Sequence, residues 1–253
     1  MSEESNIDQA RIDLACALRQ ASRLGLGEGV CNHFSLAVPG RDDRFLINPQ
    51  GLHWSEIRAA DIVVIDPDGN RIEGTHTVEP TAFFIHARIH RANARALRTA
   101  HAHAPCHRAV PARGPALAHG QPERAEVSWP HSYDRQYNGL VLDDAEGDRI
   151  VAALGDAEVL FLANHGVIVT GPSVAWAFDD LYYLERAAMV QVLAEHTGRP
   201  MREIPEEVAE QTARQMIGER QQSDLHFAAL ARELDRLDPL WSSLDRPNPT
   251  PGL

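Results

Sequence analysis

Residues 159–171 read VLFLANHGVIVTG: an apolar run, a break at Ala163, Asn164 and His165, and a second apolar run after Gly166. Short apolar runs bounded by turn residues predict strands. A connection this short returns the chain alongside itself, so the sheet is expected to be at least partly antiparallel. Outward on either side the period changes from strand to helix. Residues 146–154 predict a helix. Residues 173–196, SVAWAFDDLYYLERAAMVQVLAEH, predict a long one, with Ser173 placed to cap it.

The rest of the chain repeats the alternation. Residues 8–24 place Ile12, Ala15, Leu18 and Ala21 on one helical face, and Gly25, Gly27 and Gly29 end the pattern. HFSLAV and RFLINP, joined by the turn PGRDD, predict two strands. DIVVID at 61–66 predicts a third, followed by the turn PDGN. Helical spacing returns from Thr81 to Ala96, with Phe84, Ile85 and Ile89 on one face. Residues 111–139 are rich in Pro, Gly and polar residues and predict no definite element. Residues 205–235 read as helical and 236–253 as a Pro-rich tail. Strands alternating with helices and no evident linker predict one α/β domain over 1–253, with a core at about 10–199 and a C-terminal helical extension at about 205–253.

Composition narrows the function. The 253 residues carry a formal net charge of -12, and no basic run offers a face for nucleic acid or for acidic lipid. No stretch reaches the ~18–20 apolar residues that span a bilayer, and MSEESNIDQAR lacks a basic start followed by an apolar segment. Cys16, Cys31 and Cys106 form no close pair and read as reduced thiols. A cytoplasmic protein is expected. All 24 basic residues are arginine. Without lysine, Schiff-base aldolase chemistry, pyridoxal-phosphate chemistry and the usual P-loop are excluded. A carbonyl substrate would then need another electrophile, and a metal ion is the obvious one.

Two places offer metal ligands. In His101-Ala102-His103, an extended backbone puts both histidines on one face, about 6–7 Å apart along the strand, so both rings can reach one ion. On a helix the same spacing diverges. His165 stands where the apolar run 159–162 ends, a common place for active-site residues. Each site taken alone also reads as an ordinary hydrogen-bonded histidine. Together they supply three imidazoles, the usual set for a catalytic zinc with one open position.

Five segments, in order, resemble the class II aldolase/adducin superfamily: GEGVCNHFSLAV, FLINPQGLHWSEI, DIVVIDPDG, IHARIHRANARALRTAHAHAP and FLANHGVIVTG. The resemblance runs from about Ala10 to Arg199. It implies a three-layer α/β/α sandwich around a mixed, largely antiparallel sheet. It also implies a divalent ion, zinc foremost with manganese or iron as alternatives, on His101, His103 and His165. A homotetramer with sites at subunit interfaces and a small-molecule substrate are implied as well. Asn32 matches the substrate-side asparagine. Gly51 reads equally as a place where backbone N–H groups approach a substrate anion and as a plain turn. The region holding His131, Tyr133 and Tyr137 can supply a proton donor, sometimes across a subunit boundary, although the same residues also read as ordinary surface or packing.

The sequence also departs from the sugar-phosphate aldolases it resembles. Their Ser-Ser-Glu segment is here Pro80-Thr81-Ala82, so the general-base glutamate is replaced by a methyl group. Thr81 is the one hydroxyl left where two serines help bind phosphate, which speaks against a phosphorylated substrate. Glu79, three residues upstream, is a candidate for the metal or the substrate, and equally a solvated carboxylate at a helix start. His33, His86 and His90 read as structural. Decarboxylation generates an enolate by losing CO2 and needs only a later proton donor, whereas aldol chemistry needs a base. Alanine at position 82 therefore favours a decarboxylase, or another enolate-forming lyase, on an oxo- or hydroxy-acid. An adducin-like scaffold without catalysis and an Fe(II)-dependent oxygenase are the two alternatives.

Overall fold

The computed structural model describes residues 3–41, 43–92, 98–102, 131–200 and 204–250. Among them, one sheet holds β1 (His33–Ala37), β2 (Phe45–Ile47), β3 (Val63–Ile65), β4 (Arg71–Glu73), β5 (Arg98–Ala102), β6 (His131–Asp134), β7 (Val159–Leu162) and β8 (Gly166–Gly171). The strands lie side by side in the order β4-β3-β2-β1-β5-β8-β7-β6. Neighbours are antiparallel except for β6 and β7, which are parallel. The helices are α1 (Glu3–Arg23), α2 (Pro80–Ala92), α3 (Asp144–Leu154), α4 (Val174–His196), α5 (Glu206–Gly218) and α6 (Gln221–Leu237).

Period-two alternation sends the strand side chains to two separate cores. On one face Phe34, Leu36, Phe161, Val167 and Val169 meet Leu14 and Leu18 of α1, Phe178 and Leu181 of α4, and Phe227 and Leu234 of α6. On the other, Leu160, Leu162 and Ile168 meet Ile85 and Ile89 of α2 and Ile150 and Leu154 of α3. Phe45, Ile47, Val63 and Ile65 complete that face against Ala82 and Ala87. Each such side chain contributes roughly 1.5–3 kcal/mol on burial. The architecture is a three-layer α/β/α sandwich, as the resemblance implies. Close approach of α2 and α3 depends on Gly147, where a Cβ would lie 2.7 Å from the Phe84 carbonyl oxygen.

Caps and breaks follow the residues. Ser173 accepts from the Trp176 N–H at 3.0 Å and starts α4 where the sequence places it. Asp143 caps α3 by accepting from Glu146 N–H. Residues 205–235, read as helical, form two helices. The Glu219 N–H turns to the carbonyls of Gln215 and Met216 and closes α5. Arg220 forks onto the buried carboxylate of Asp180 at 2.5 and 2.6 Å, while Ser223 and His226 satisfy Asp179. Tertiary demand from these two buried acids overrides helix continuity. The helix read from Thr81 to Ala96 is described as far as Ala92, and residues 93–97 lie outside the described residues. Strand β4 has no sequence signal because all three of its residues are exposed. Among the described residues no helix is long and apolar enough to cross a membrane.

Candidate metal centre and active site

Strand register decides which residues can share a site. Antiparallel pairing of β5 with β8 sets His101 against Ile168 and Ala102 against Val167, so β5 runs toward the β7–β8 turn. That turn is Ala163-Asn164-His165. The His165 N–H donates to the Leu162 carbonyl at 3.2 Å, and Asn164 takes the left-handed φ of 55° that asparagine tolerates better than most residues. Pairing of β1 with β5 sets His33 against His101, so the start of β1, preceded by Asn32, falls at the same end. Strand β2 runs antiparallel to β1 and finishes there too, delivering Asn48 to Gly51. The Gln50 N–H donates to the Thr77 carbonyl at 2.8 Å, which ties this turn to the segment leading into α2.

One end of the sheet therefore carries Asn32, Gly51, His101 and His165, with Glu79 and Thr81 at the neighbouring start of α2. Asn32 is buried, and its Oδ1 accepts from the Glu28 N–H. Its carbonyl takes the Trp54 Nε1–H and the Asn48 amide. The Nδ2 of Asn32 is buried and has no hydrogen-bond partner among the described residues. A buried donor left open costs about 1–3 kcal/mol, so it is a natural place for a ligand oxygen. Gly51 is exposed with φ of 82°, a conformation suited to glycine. The Glu79 carboxylate accepts from the Ala82 N–H at 2.9 Å and from the Thr81 hydroxyl. It thus caps the first turn of α2, and both side chains are committed to each other.

Of the three histidines, His165 has a described side chain, His101 is described as backbone, and His103 lies outside the described residues. The extended backbone at His101 and Ala102 is what two ligands at i and i+2 require. Three neutral imidazoles suit zinc and also other first-row ions.

His131 and Tyr133 sit on β6, parallel to β7. His131 pairs with Val159 at the far end of the strand from His165, and its ring lies edge-on to Tyr133. Tyr133 stacks flat on Phe161, with centroids 4.9 Å apart. Beside His165 stands Tyr137 instead, with ring centroids 6.1 Å apart. The sequence singles out Tyr137 only as one of several residues in an unreadable segment. What places it is a polar bracket that no motif announces. Asp134 accepts from the Gln136 N–H on one side, and Asn138 donates to Glu146 on the other. Arg149 joins Glu146 to Asp134, both at 2.7 Å. Hydrogen bonding from Arg149 above all keeps the Glu146 carboxyl below its ordinary pKa.

Residues 12–192 match the model of the class II aldolase and adducin N-terminal domain family. The decarboxylase NovR of Streptomyces niveus is 35% identical over 234 residues, 87% of this chain and 84% of that protein. The 4-hydroxy-3-prenylphenylpyruvate oxygenase/4-hydroxy-3-prenylbenzoate synthase of Streptomyces roseochromogenus subsp. oscitans is 33% identical over 234 residues, 87% of this chain and 82% of that protein. The crystal structure of an aldolase II superfamily protein from Pseudomonas syringae superposes with a TM-score of 0.87 at 32% identity, covering 94% of this chain and 96% of that one.

Proposed function

The chain belongs to the class II aldolase and adducin N-terminal domain family, and from that premise we propose that it is a metal-dependent carbon–carbon lyase acting on a small, non-phosphorylated oxo- or hydroxy-acid. The observation that carries this reading is the sheet end that gathers Asn32, Gly51, His101 and His165 while position 82 is a buried alanine. His101, His103 and His165 are the residues that would hold the ion. Bound there, a divalent ion, zinc foremost, supplies a Lewis acid for the negative charge that develops on a substrate carbonyl oxygen.

The chain's own residues divide the remaining work. Asn32 has a free amide N–H to donate to a substrate oxygen, and the exposed turn at Gly51 offers backbone N–H to a carboxylate. Tyr137, against His165, is placed to give a proton to the carbon left after bond cleavage. Tyr133 and His131 lie on β6, Tyr133 stacked on Phe161 and His131 at the end of the strand far from His165, so the proton-donor role expected of that region falls to Tyr137. The carboxylate of Glu79 is spent on capping α2, and Ala82 takes up no proton, so no carboxylate base replaces the missing glutamate there. Loss of CO2 needs no such base, which favours decarboxylation over aldol condensation. Similarity to a named decarboxylase supports this direction. Similarity to a named oxygenase supports a second reading, iron-dependent oxygen chemistry in the same site. We further propose that the chain works as a homo-oligomer in the cytoplasm.

Metal analysis of the purified protein and a screen of oxo-acids for CO2 and aldehyde release test the proposal. About one divalent ion per chain, lost in His165→Ala together with activity, is the expected result. Oxygen consumption with Fe(II) in place of simple CO2 release would select the oxygenase. No ion, and no gain in stability on adding one, would leave a scaffold of the adducin kind.

A further inference from the structure

Between the sheet and α2 runs an unbroken line of polar side chains inside the second core. His33 and Ser35 project from β1 at two-residue spacing, and His86 and His90 project from α2 at four-residue spacing. Nδ1 of His33 lies 2.8 Å from Nε2 of His86, and Nδ1 of His86 lies 2.5 Å from the Ser35 hydroxyl. The same hydroxyl lies 2.7 Å from Nε2 of His90, whose ring stacks on Phe45. His33, Ser35 and His86 are 3%, 1% and 0% exposed, whereas His90 is half-buried. Both end members, His33 and His90, also have further partners. Apolar side chains of the same volume would pack this region without any polar demand, so the line calls for a reason.

Every member both donates and accepts, so the line has two complete hydrogen-bonding arrangements. In one, His90 Nε2–H donates to Ser35 Oγ, the Ser35 hydroxyl to His86 Nδ1, and His86 Nε2–H to His33 Nδ1. In the other, every bond points the opposite way. Passage of one proton interconverts them. It enters at His90 Nδ1 from a solvent hydronium or water, each link hands on its own hydrogen, and His33 passes its Nε2–H to a water or substrate atom at the sheet end. No group is left charged, and only the tautomers have inverted. A cycle that withdraws a proton and later returns it restores the starting arrangement.

We propose that His90, Ser35, His86 and His33 form a proton relay between the half-buried His90 in the last turn of α2 and the sheet end that carries the candidate metal ligands. The inner terminus is His33, whose backbone pairs with that of His101. The proposal rests on the lyase reading for its purpose: it resupplies the site with the proton that is consumed after CO2 is lost. Its geometry stands independently of that reading.

The test is hydrogen exchange of the His86 ring N–H in histidine-15N-labelled protein, with the backbone amides of Leu46 and Ile47 as the reference for opening of the fold. If the line conducts, Ser35→Ala slows ring exchange at least tenfold while those amides stay within twofold. Should Ser35→Ala fail to fold, His90→Phe, which keeps a ring over Phe45, carries the same expectation. Ring exchange that is unchanged or faster in the folded variant, with unchanged amides, overturns the relay. Neither substrate nor metal enters this measurement, so a failed lyase screen leaves it standing and a failed exchange test leaves the lyase standing. With a substrate in hand, the same variants lower kcat more than tenfold with KM within threefold, and added imidazole restores part of the loss. An unchanged kcat overturns the relay's part in turnover.

Discussion

A histidine can be tuned by burial without touching a ligand, and His86 shows how far. Burial above all, then the neighbouring His33 and His90, holds its pKa well below the ordinary imidazole value. The unfolded chain gains a proton near pH 6.5 that the native chain refuses. Native stability is therefore complete above that pH and declines as pH falls below it, by about 1.4 kcal/mol per unit for this group until its folded pKa is reached. Urea unfolding at pH 7.5 and 5.5 measures the loss, and His86→Gln should lose about 1 kcal/mol less over that interval than the unmodified chain. A second residue-level prediction concerns Tyr137. If its phenol donates a proton, Tyr137→Phe lowers kcat by roughly 10²-fold. Binding contacts remain, so KM stays within threefold in a steady-state assay on the substrate found by the screen.

At the level of elements, the start of α2 shows one side chain doing a structural job at a functional address. Glu79 closes the first turn through the Ala82 N–H, and Thr81 adds its hydroxyl to the same carboxylate oxygen. Glu79→Ala is expected to cost about 1 kcal/mol of unfolding free energy, the usual worth of an N-cap. The same variant separates two roles. A cap alone shifts the denaturation midpoint and leaves kcat nearly intact, whereas a hand in proton transfer lowers kcat at temperatures where the protein is fully folded. The loop after β6 works by the same logic. Glu146 and Arg149 brace it from α3, Arg149 reaching Asp134 at the end of β6, so the position of Tyr137 depends on α3 as much as on its own neighbours.

Across the whole molecule, the C-terminal segment is stitched onto the N-terminal half. Trp241 is buried in the core shared by α1, α4 and α6, and its carbonyl accepts from the Ala59 N–H. Its indole N–H donates to Asp235 at 2.9 Å. Further along, Asn248 donates from both its backbone N–H and its amide to the buried Asp61, which His76 also contacts. Residues near 60 and near 245 thus share one hydrogen-bond network across the fold. Trp241→Ala should cost about 3–5 kcal/mol, read from the urea midpoint. Loss of a Pro-rich tail with no fold contacts would cost nothing measurable.

The sequence alone determined the alternation of strands and helices, the hairpin at 159–171 and the cap at Ser173, because each is written in local period or turn chemistry. It also named His101, His103 and His165 as a possible set, since histidine spacing is legible without coordinates. The order of strands was decided by tertiary structure, because register depends on which faces are buried by partners far away in the chain. Placement of Tyr137 rather than His131 near His165 was decided the same way, through parallel pairing of β6 with β7 and a brace from α3. So was the meeting of His33, Ser35, His86 and His90, which lie more than fifty residues apart between strand and helix and share a hydrogen-bonded line only because α2 packs on β1.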